Sequence, residues 1–242
     1  YKVLGIIVAG VIVFQYFNST YGKTNGNLDL FQAIVTVAVG ISSFSAFLVA
    51  RKYWDYSVFG KAYLSLGIGL ACFALGDIIW YYYTEILNQY PYPSFADIPY
   101  FALYPFMIYH ILKNGRSFQK EIKTHTKIWL CVIPVTILLT YVYSSNKAGS
   151  EPFDFWYGMI FVAITSITLA FSIYGFQIFR KSILGNVWGL LLAGISLFTI
   201  ADVWYYHLEV FNQFTDNHPV TAAWLLGTLV IMYSLYLHKN AI

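Results

Sequence analysis

The sequence predicts an all-α, polytopic membrane protein of about eight transmembrane helices, arranged as two parallel four-helix repeats. Three observations carry this. Hydrophobic residues make up 59% of the chain and charged residues 10%, against about 25% charged in a soluble domain. So much apolar surface needs an apolar solvent, and a bilayer supplies one. The apolar runs are long and lack the period-2 alternation of strands. The second half of the chain also repeats features of the first at a fixed offset.

The runs fall at about 3–17, 30–50, 62–86, 98–112, 127–144, 154–179, 184–208 and 220–238, with polar or Gly/Pro-containing segments between them. The first, Val3 to Phe17, is shorter than the roughly 20 residues a crossing helix needs. The expectation is therefore that further N-terminal residues precede Tyr1. No small-residue cleavage site follows this run, which argues against a signal peptide.

Lys and Arg set the expected orientation. Arg51, Lys52 and Lys61 flank the second connection, and Lys113, Arg116, Lys120, Lys123 and Lys127 crowd the fourth. Arg180 and Lys181 mark the sixth, and Lys239 follows the last span. The odd-numbered connections hold only Lys23 and Lys147. The positive-inside rule then places a multi-pass protein in the cell membrane with both termini cytoplasmic.

An offset of 125 residues brings Lys2 onto Lys127, Asp29 onto Asp154, Gly60 onto Gly185, Gly69 onto Gly194 and Asp77 onto Asp202. After one single-residue deletion, WYYYTEILNQY (Trp80–Tyr90) aligns with WYYHLEVFNQF (Trp204–Phe214), six of eleven positions being identical. Four spans per copy make the repeat parallel, with a pseudo-two-fold axis along the membrane normal. The expected division is a first repeat over 1–113, a basic cytoplasmic linker over 114–126, and a second repeat over 127–242.

The third and seventh spans carry the polar signal. Asp77, Tyr81, Thr84, Glu85 and Asn88 are spaced for one helical face, as are Asp202, Tyr206, Glu209 and Gln213. An intramembrane carboxylate costs several kcal/mol unless it is paired, hydrated or protonated. Nine of the eleven acids fall on the expected outer side, with only Asp55 and Glu121 inside. The expected site is an acidic, outward-facing pocket with Asp77 and Asp202 as buried anchors. Glu85, Asn88, Glu209, Asn212 and Gln213 would stand at its mouth. Helix capping competes with a ligand role for the Glu and Asn/Gln positions, and interhelical hydrogen bonding competes for the aspartates. In the third connection, PYPSFADIPYFALYP (Pro91–Pro105), the prolines favour a stiff loop and Ser94 to Asp97 suit a helix N-cap. The corresponding TDNHPVTAAW has lost this pattern, so the mouth is expected to be asymmetric.

His207 and His218, with Glu209 and Asp216, are weak candidates for a metal site, at a spacing that matches no established motif. His110, His125 and His238 fall towards the cytoplasmic side. Cys72 and Cys131 form neither a disulfide framework nor a metal pair and read as packing residues. Asn18-Ser19-Thr20 is a glycosylation sequon on the expected outer side, of a kind common by chance. There is no nucleophile elbow, Walker loop, HExxH or Gly-rich dinucleotide turn. No lysine lies mid-span in the last two helices, which removes a retinal Schiff base. The net charge of +3, without a basic aromatic-interleaved stripe, excludes a nucleic-acid partner. The residues specify no cofactor.

The run GDIIWYYYTEILNQYPYPSFADIPYFALYP resembles the multi-span N-terminal region of bacterial and archaeal diguanylate cyclase/phosphodiesterase and histidine-kinase-like signalling proteins. There a GDxxW helix precedes PYPSxADxxYLxxYP. The matching residues are Gly76, Asp77, Trp80, Pro91, Tyr92, Pro93, Ser94, Ala96, Asp97, Tyr100, Tyr104 and Pro105. The resemblance covers about thirty residues. It implies a membrane-embedded sensor input, with a cytoplasmic signalling domain expected beyond Ile242. Asp77 and Asp202 also resemble, more weakly, the twin acids of the eight-span lysoplasmalogenase family, where both are implicated in catalysis.

The leading expectation is a non-catalytic module binding a small ligand, lipid headgroup or cation, as sensor input or accessory subunit. Its partners would be the lipid bilayer and other membrane subunits or a cytoplasmic signalling domain. An intramembrane hydrolase, with Asp77 and Asp202 catalytic, is the alternative. A transporter is third.

Overall fold

The structure, a computed structural model, describes residues 2–22, 30–118, 124–179 and 185–240. Lys23, Asp29, Lys120, Glu121, Lys123, Arg180 and Lys181 lie outside the described residues. The helices are α1 (Lys2–Tyr21), α2 (Leu30–Lys52), α3 (Ser57–Tyr81), α4 (Asp97–Phe118), α5 (Thr124–Ala148), α6 (Pro152–Phe179), α7 (Gly185–Val210) and α8 (Pro219–Asn240). A π turn, Tyr82–Ile86, continues α3. By length and apolarity seven of the eight can cross a membrane, and α4 is the exception. Its apolar stretch is bounded by Asp97 on one side and by Lys113 and Arg116 on the other. The chain is thus an all-α, multi-pass membrane protein.

Local chemistry marks several helix ends. The Ser94 hydroxyl accepts from the Ala96 N–H at 3.0 Å, and Asp97 accepts from the Ser94 N–H at 2.6 Å. The pair starts α4 where the sequence places an N-cap. Pro152 opens α6 with Asp154 in its first turn, and α2 closes on Arg51 and Lys52; each charge complements the local helix dipole. The expected linker over 114–126 is helical at both ends, since α4 runs to Phe118 and α5 starts at Thr124.

Six helices close a ring in the order α2, α3, α4, α6, α7, α8 and back to α2. Outside it, α1 packs on α8, and α5 packs on α6 and α7. Tyr63, Leu66, Leu70, Phe73 and Asp77 line the inward face of α3, at the three- and four-residue spacing of one helical stripe. Trp188, Leu191, Ile195, Phe198 and Asp202 do the same on α7, each 125 positions later. All ten are buried. The stripes meet through rings, Phe73 against Phe198 at 4.9 Å and Tyr63 against Trp188 at 5.9 Å.

Lipid tails supply no hydrophobic drive between helices, so close backbone approach matters more. A Cβ on Gly194 would stand 2.8 Å from the Ile231 nitrogen and 3.0 Å from the Gly227 oxygen. A Cβ on Gly69 would stand 2.9 Å from the Phe106 Cβ and 3.1 Å from the Leu103 oxygen. The α3–α4 and α7–α8 crossings are tight at matching positions.

The end of the ring remote from the two aspartates is polar and aromatic. His110 Nδ1 bonds the Ala62 carbonyl at 2.9 Å, and the Ser234 hydroxyl donates to the Val187 carbonyl at 2.8 Å. The Tyr63 ring lies 4.9 Å from His110 and 5.3 Å from His238. The Tyr63 hydroxyl, Asn114 Oδ1 and the Nε2 atoms of both histidines are buried without hydrogen-bond partners among the described residues.

Two sequence expectations change. Asn18 is 1% exposed, and its amide donates to the Asp216 carbonyl at 3.3 Å. The sequon therefore sits inside a helix contact, where no glycan fits, because α1 uses Asn18 and Gln15 to hold the α7–α8 connection. Cys131 is exposed on α5 rather than packed, and Cys72 is partly buried.

Candidate functional site: an acidic, aromatic cavity inside the helix ring

One turn above Phe73 and Phe198, the i+4 positions place Asp77 and Asp202 on the same inward stripes. Both line one cavity of about 770 Å³, within the range of small-molecule sites. Phe73 is the deepest α3 residue of its lining and Glu85 the shallowest, twelve residues apart, which is about 18 Å along a helix. Tyr90, Pro91 and Tyr92 from the α3–α4 connection, and Phe214 to Asn217 from the α7–α8 connection, complete the mouth.

The lining has a strong chemical bias. Six of its residues are acids: Asp77, Glu85, Asp97, Asp202, Glu209 and Asp216. None of the described lining residues is Lys, Arg or His, and twelve of the twenty-four are aromatic. At the mouth, burial, with Asp154 beside it, pushes the Tyr92 hydroxyl pKa up, so the phenol stays a neutral donor.

The two deep carboxylates are held differently. Asp77 Oδ1 accepts from the Tyr100 hydroxyl of α4 at 2.9 Å, and Oδ2 lies 3.2 Å from the Thr36 hydroxyl of α2, whose one proton it shares with the Gln32 carbonyl at 3.1 Å. Asp202 Oδ1 accepts from the Trp224 indole N–H of α8 at 2.8 Å. Asp202 Oδ2 is buried with no partner among the described residues. The Tyr104 hydroxyl faces this carboxyl but completes no hydrogen bond of normal geometry. Tyr100 and Trp224 are 124 positions apart, the offset that aligns Trp80 with Trp204. Thr36, by contrast, has Phe161 as its counterpart 125 positions later. The second half has thus exchanged a donor for a ring.

The rings form a continuous wall beside Asp202. Phe161 stacks on Tyr206 at 5.0 Å, and Tyr206 meets Tyr205 at 5.1 Å. Tyr205 meets Trp224 at 5.5 Å and Phe214 at 4.8 Å.

Of the other residues expected at the site, Glu85 and Glu209 line the cavity, whereas Asn88, Asn212 and Gln213 do not. Asn88 and Asn212 have φ of 51° and 52°, the left-handed conformation of a helix C-terminal cap. The Gln213 N–H closes that cap on the Leu208 carbonyl at 2.9 Å. All three side chains are exposed. The π turn explains the misread stripe on α3: the Leu87 N–H bonds the Tyr82 carbonyl, five residues back, at 3.1 Å. This wide turn takes up the residue by which the offset shortens from 125 to 124, and it rotates Asn88 off the Asp77 face.

The histidine candidates also disperse. His207 Nδ1 lies 3.4 Å from the Ser144 hydroxyl of α5. His218 Nδ1 accepts from the Val220 N–H at 3.2 Å, with its ring 5.2 Å from Trp204. Burial lowers the His218 pKa, so it is neutral near pH 7. Only Glu209 and Asp216 of the four metal candidates reach the cavity. No three His, Cys, Asp or Glu side chains come together as a metal site among the described residues.

Sequence reasoning missed Thr36, Tyr100, Trp224 and Phe161. Extending the 124- and 125-residue offsets beyond Trp80–Tyr90 would have paired the four, as Tyr100 with Trp224 and Thr36 with Phe161.

Fold and site together define a polytopic helical membrane protein with an acidic, aromatic cavity inside its helix ring. No protein-family model matches the chain, and neither does any curated protein or solved structure.

Proposed function

We propose that this chain is a membrane-embedded binding module whose cavity takes up a small, positively charged ligand. The observation that carries the reading is the charge of the lining: six carboxylates, two of them at the buried floor, and no basic side chain among the described lining residues. In a low-dielectric ring such a lining strongly favours a cation over an anion or a neutral molecule.

The basic residues at the opposite ends of the helices support a cavity that opens to the outside, with both chain termini in the cytoplasm of a cell-membrane protein. The matched positions on α3 and α7, and the paired caps at Asn88 and Asn212, support an ancestral duplication of a four-helix unit. The GDxxW and PYPSxAD runs, which contribute Asp77, Tyr92 and Asp97 to the cavity, support a sensor input. In that role the module would report occupancy to a cytoplasmic signalling domain or to another membrane subunit.

The test is cation binding to the purified protein in nanodiscs, followed through Trp80 and Trp224, which line the cavity. A saturable fluorescence change with organic or inorganic cations, weakened by Asp202→Asn and Asp77→Asn, is expected. Equal response to anions and neutral solutes would end this reading. Turnover of a lysoplasmalogen, abolished by Asp77→Asn, would replace it with the hydrolase.

A further inference from the structure

Building on the cation-binding reading, we infer that the ligand is an alkylated ammonium group, anchored on Asp202 rather than equally by the two aspartates. Asp77 has a hydroxyl at each oxygen, Tyr100 at one and Thr36 at the other with its single proton shared with the Gln32 carbonyl, and these tie α3 to α4 and α2. Asp202, a residue of the cavity lining that is 4% exposed, has one oxygen engaged by Trp224 and one buried without a partner among the described residues, the Tyr104 hydroxyl facing the carboxyl without completing a bond. A buried carboxylate oxygen without a donor is costly, and a cation in the cavity satisfies it. The position that would have supplied a second donor, by analogy with Thr36, is Phe161.

The surroundings of that oxygen select the kind of cation. A metal ion or a primary ammonium needs several oxygen ligands to replace its water. Beside Asp202 stand instead the faces and edges of Phe161, Tyr206, Tyr205 and Trp224, in unbroken ring contact. Methylated ammonium groups carry a diffuse charge and shed water readily, and rings around one carboxylate are how proteins hold them. The cavity is several times the size of such a headgroup, and its mouth carboxylates Glu85, Glu209 and Asp216 would draw the charge inward. Trimethylammonium can arrive as a free solute or as the headgroup of a phosphocholine lipid, and both carry the chemistry read here.

The experiment uses the full chain in phosphatidylglycerol nanodiscs, free of choline lipid. Tetramethylammonium, choline, ammonium, Na⁺ and Mg²⁺ are titrated separately, and a short-chain phosphocholine lipid forms a further arm. Tetramethylammonium and choline should bind at least tenfold more tightly than ammonium, Na⁺ or Mg²⁺. Tighter binding of the phosphocholine lipid than of choline supports the same site with a lipid source. Asp202→Asn should weaken tetramethylammonium at least tenfold more than Asp77→Asn does. Phe161→Thr, which offers Asp202 the hydroxyl that Asp77 enjoys, should also weaken it tenfold in a protein whose thermal midpoint is maintained. Preference for ammonium or a metal ion, or equal losses from the two Asn variants, overturns this inference while leaving cation binding intact. No saturable response to any cation overturns both.

Discussion

The unequal support of the two buried carboxylates yields a quantitative test in unfolding energetics. Trp224→Phe removes the indole N–H donor on Asp202 at 2.8 Å and leaves the carboxyl only the Tyr104 hydroxyl that faces it. A hydrogen bond to a charged acceptor contributes about 1.5–3 kcal/mol. Tyr100→Phe removes the 2.9 Å donor on Asp77 Oδ1, but the Thr36 hydroxyl, 3.2 Å from Oδ2, can turn its proton from the Gln32 carbonyl wholly to the carboxylate. That loss should therefore fall near the ordinary net value of about 0.5–1.5 kcal/mol. Trp to Phe also loses packing, so the comparison is made as two double-mutant cycles, with Asp202→Ala and Asp77→Ala as partner substitutions. Circular dichroism of the protein in mixed micelles, titrated with denaturing detergent, gives the coupling energies. The Trp224–Asp202 coupling should exceed the Tyr100–Asp77 coupling by about 1 kcal/mol. Equal couplings, or the reverse order, would refute the unequal-support reasoning on which the Asp202 anchor stands.

Other expectations follow from the same geometry. Gly194→Ala drives a methyl into the Ile231 and Gly227 backbone and should cost about 1–3 kcal/mol, read as a lower thermal midpoint. Asn88→Gly and Asn212→Gly should leave stability unchanged or raised, whereas Asn88→Val and Asn212→Val should each lose about 1–2 kcal/mol for left-handed backbone; ligand affinity should follow neither. Tyr63→Phe deletes a buried hydroxyl without a partner and should be neutral or stabilising by up to about 1 kcal/mol, checked by the same detergent titration. Expressed in a glycosylating host, the protein should show no enzyme-sensitive mobility shift attributable to Asn18.

The helices were legible because a bilayer-spanning segment announces itself by length and apolarity alone, and Asp77 and Asp202 stood out because a carboxylate in such a run is costly. The partners of those carboxylates were not legible. Tyr100 and Trp224 donate equivalent hydrogen bonds with unlike side chains, so identity matching passes over them. Thr36 and Phe161 differ in chemistry altogether, and their difference has meaning only once both are seen beside a carboxylate. Counting turns of regular helix places Asn88 and Gln213 on a polar face. A π turn and a left-handed cap break that count, and neither leaves a distinctive residue pattern. Asn18 matches a surface motif, but the α7–α8 connection, remote in sequence, covers it.

The middle of the ring has a consequence for traffic. Between Asp77 and Tyr63, and equally between Asp202 and Trp188, the inward stripes are wholly hydrocarbon and ring, over about 20 Å of helix. Those two stripes offer neither a file of water nor a hopping ion a foothold. A tilt or twist of α3 or α7 would carry a change at the aspartates to the far end, where the rings of Tyr63 and Trp188 meet those of His110 and His238.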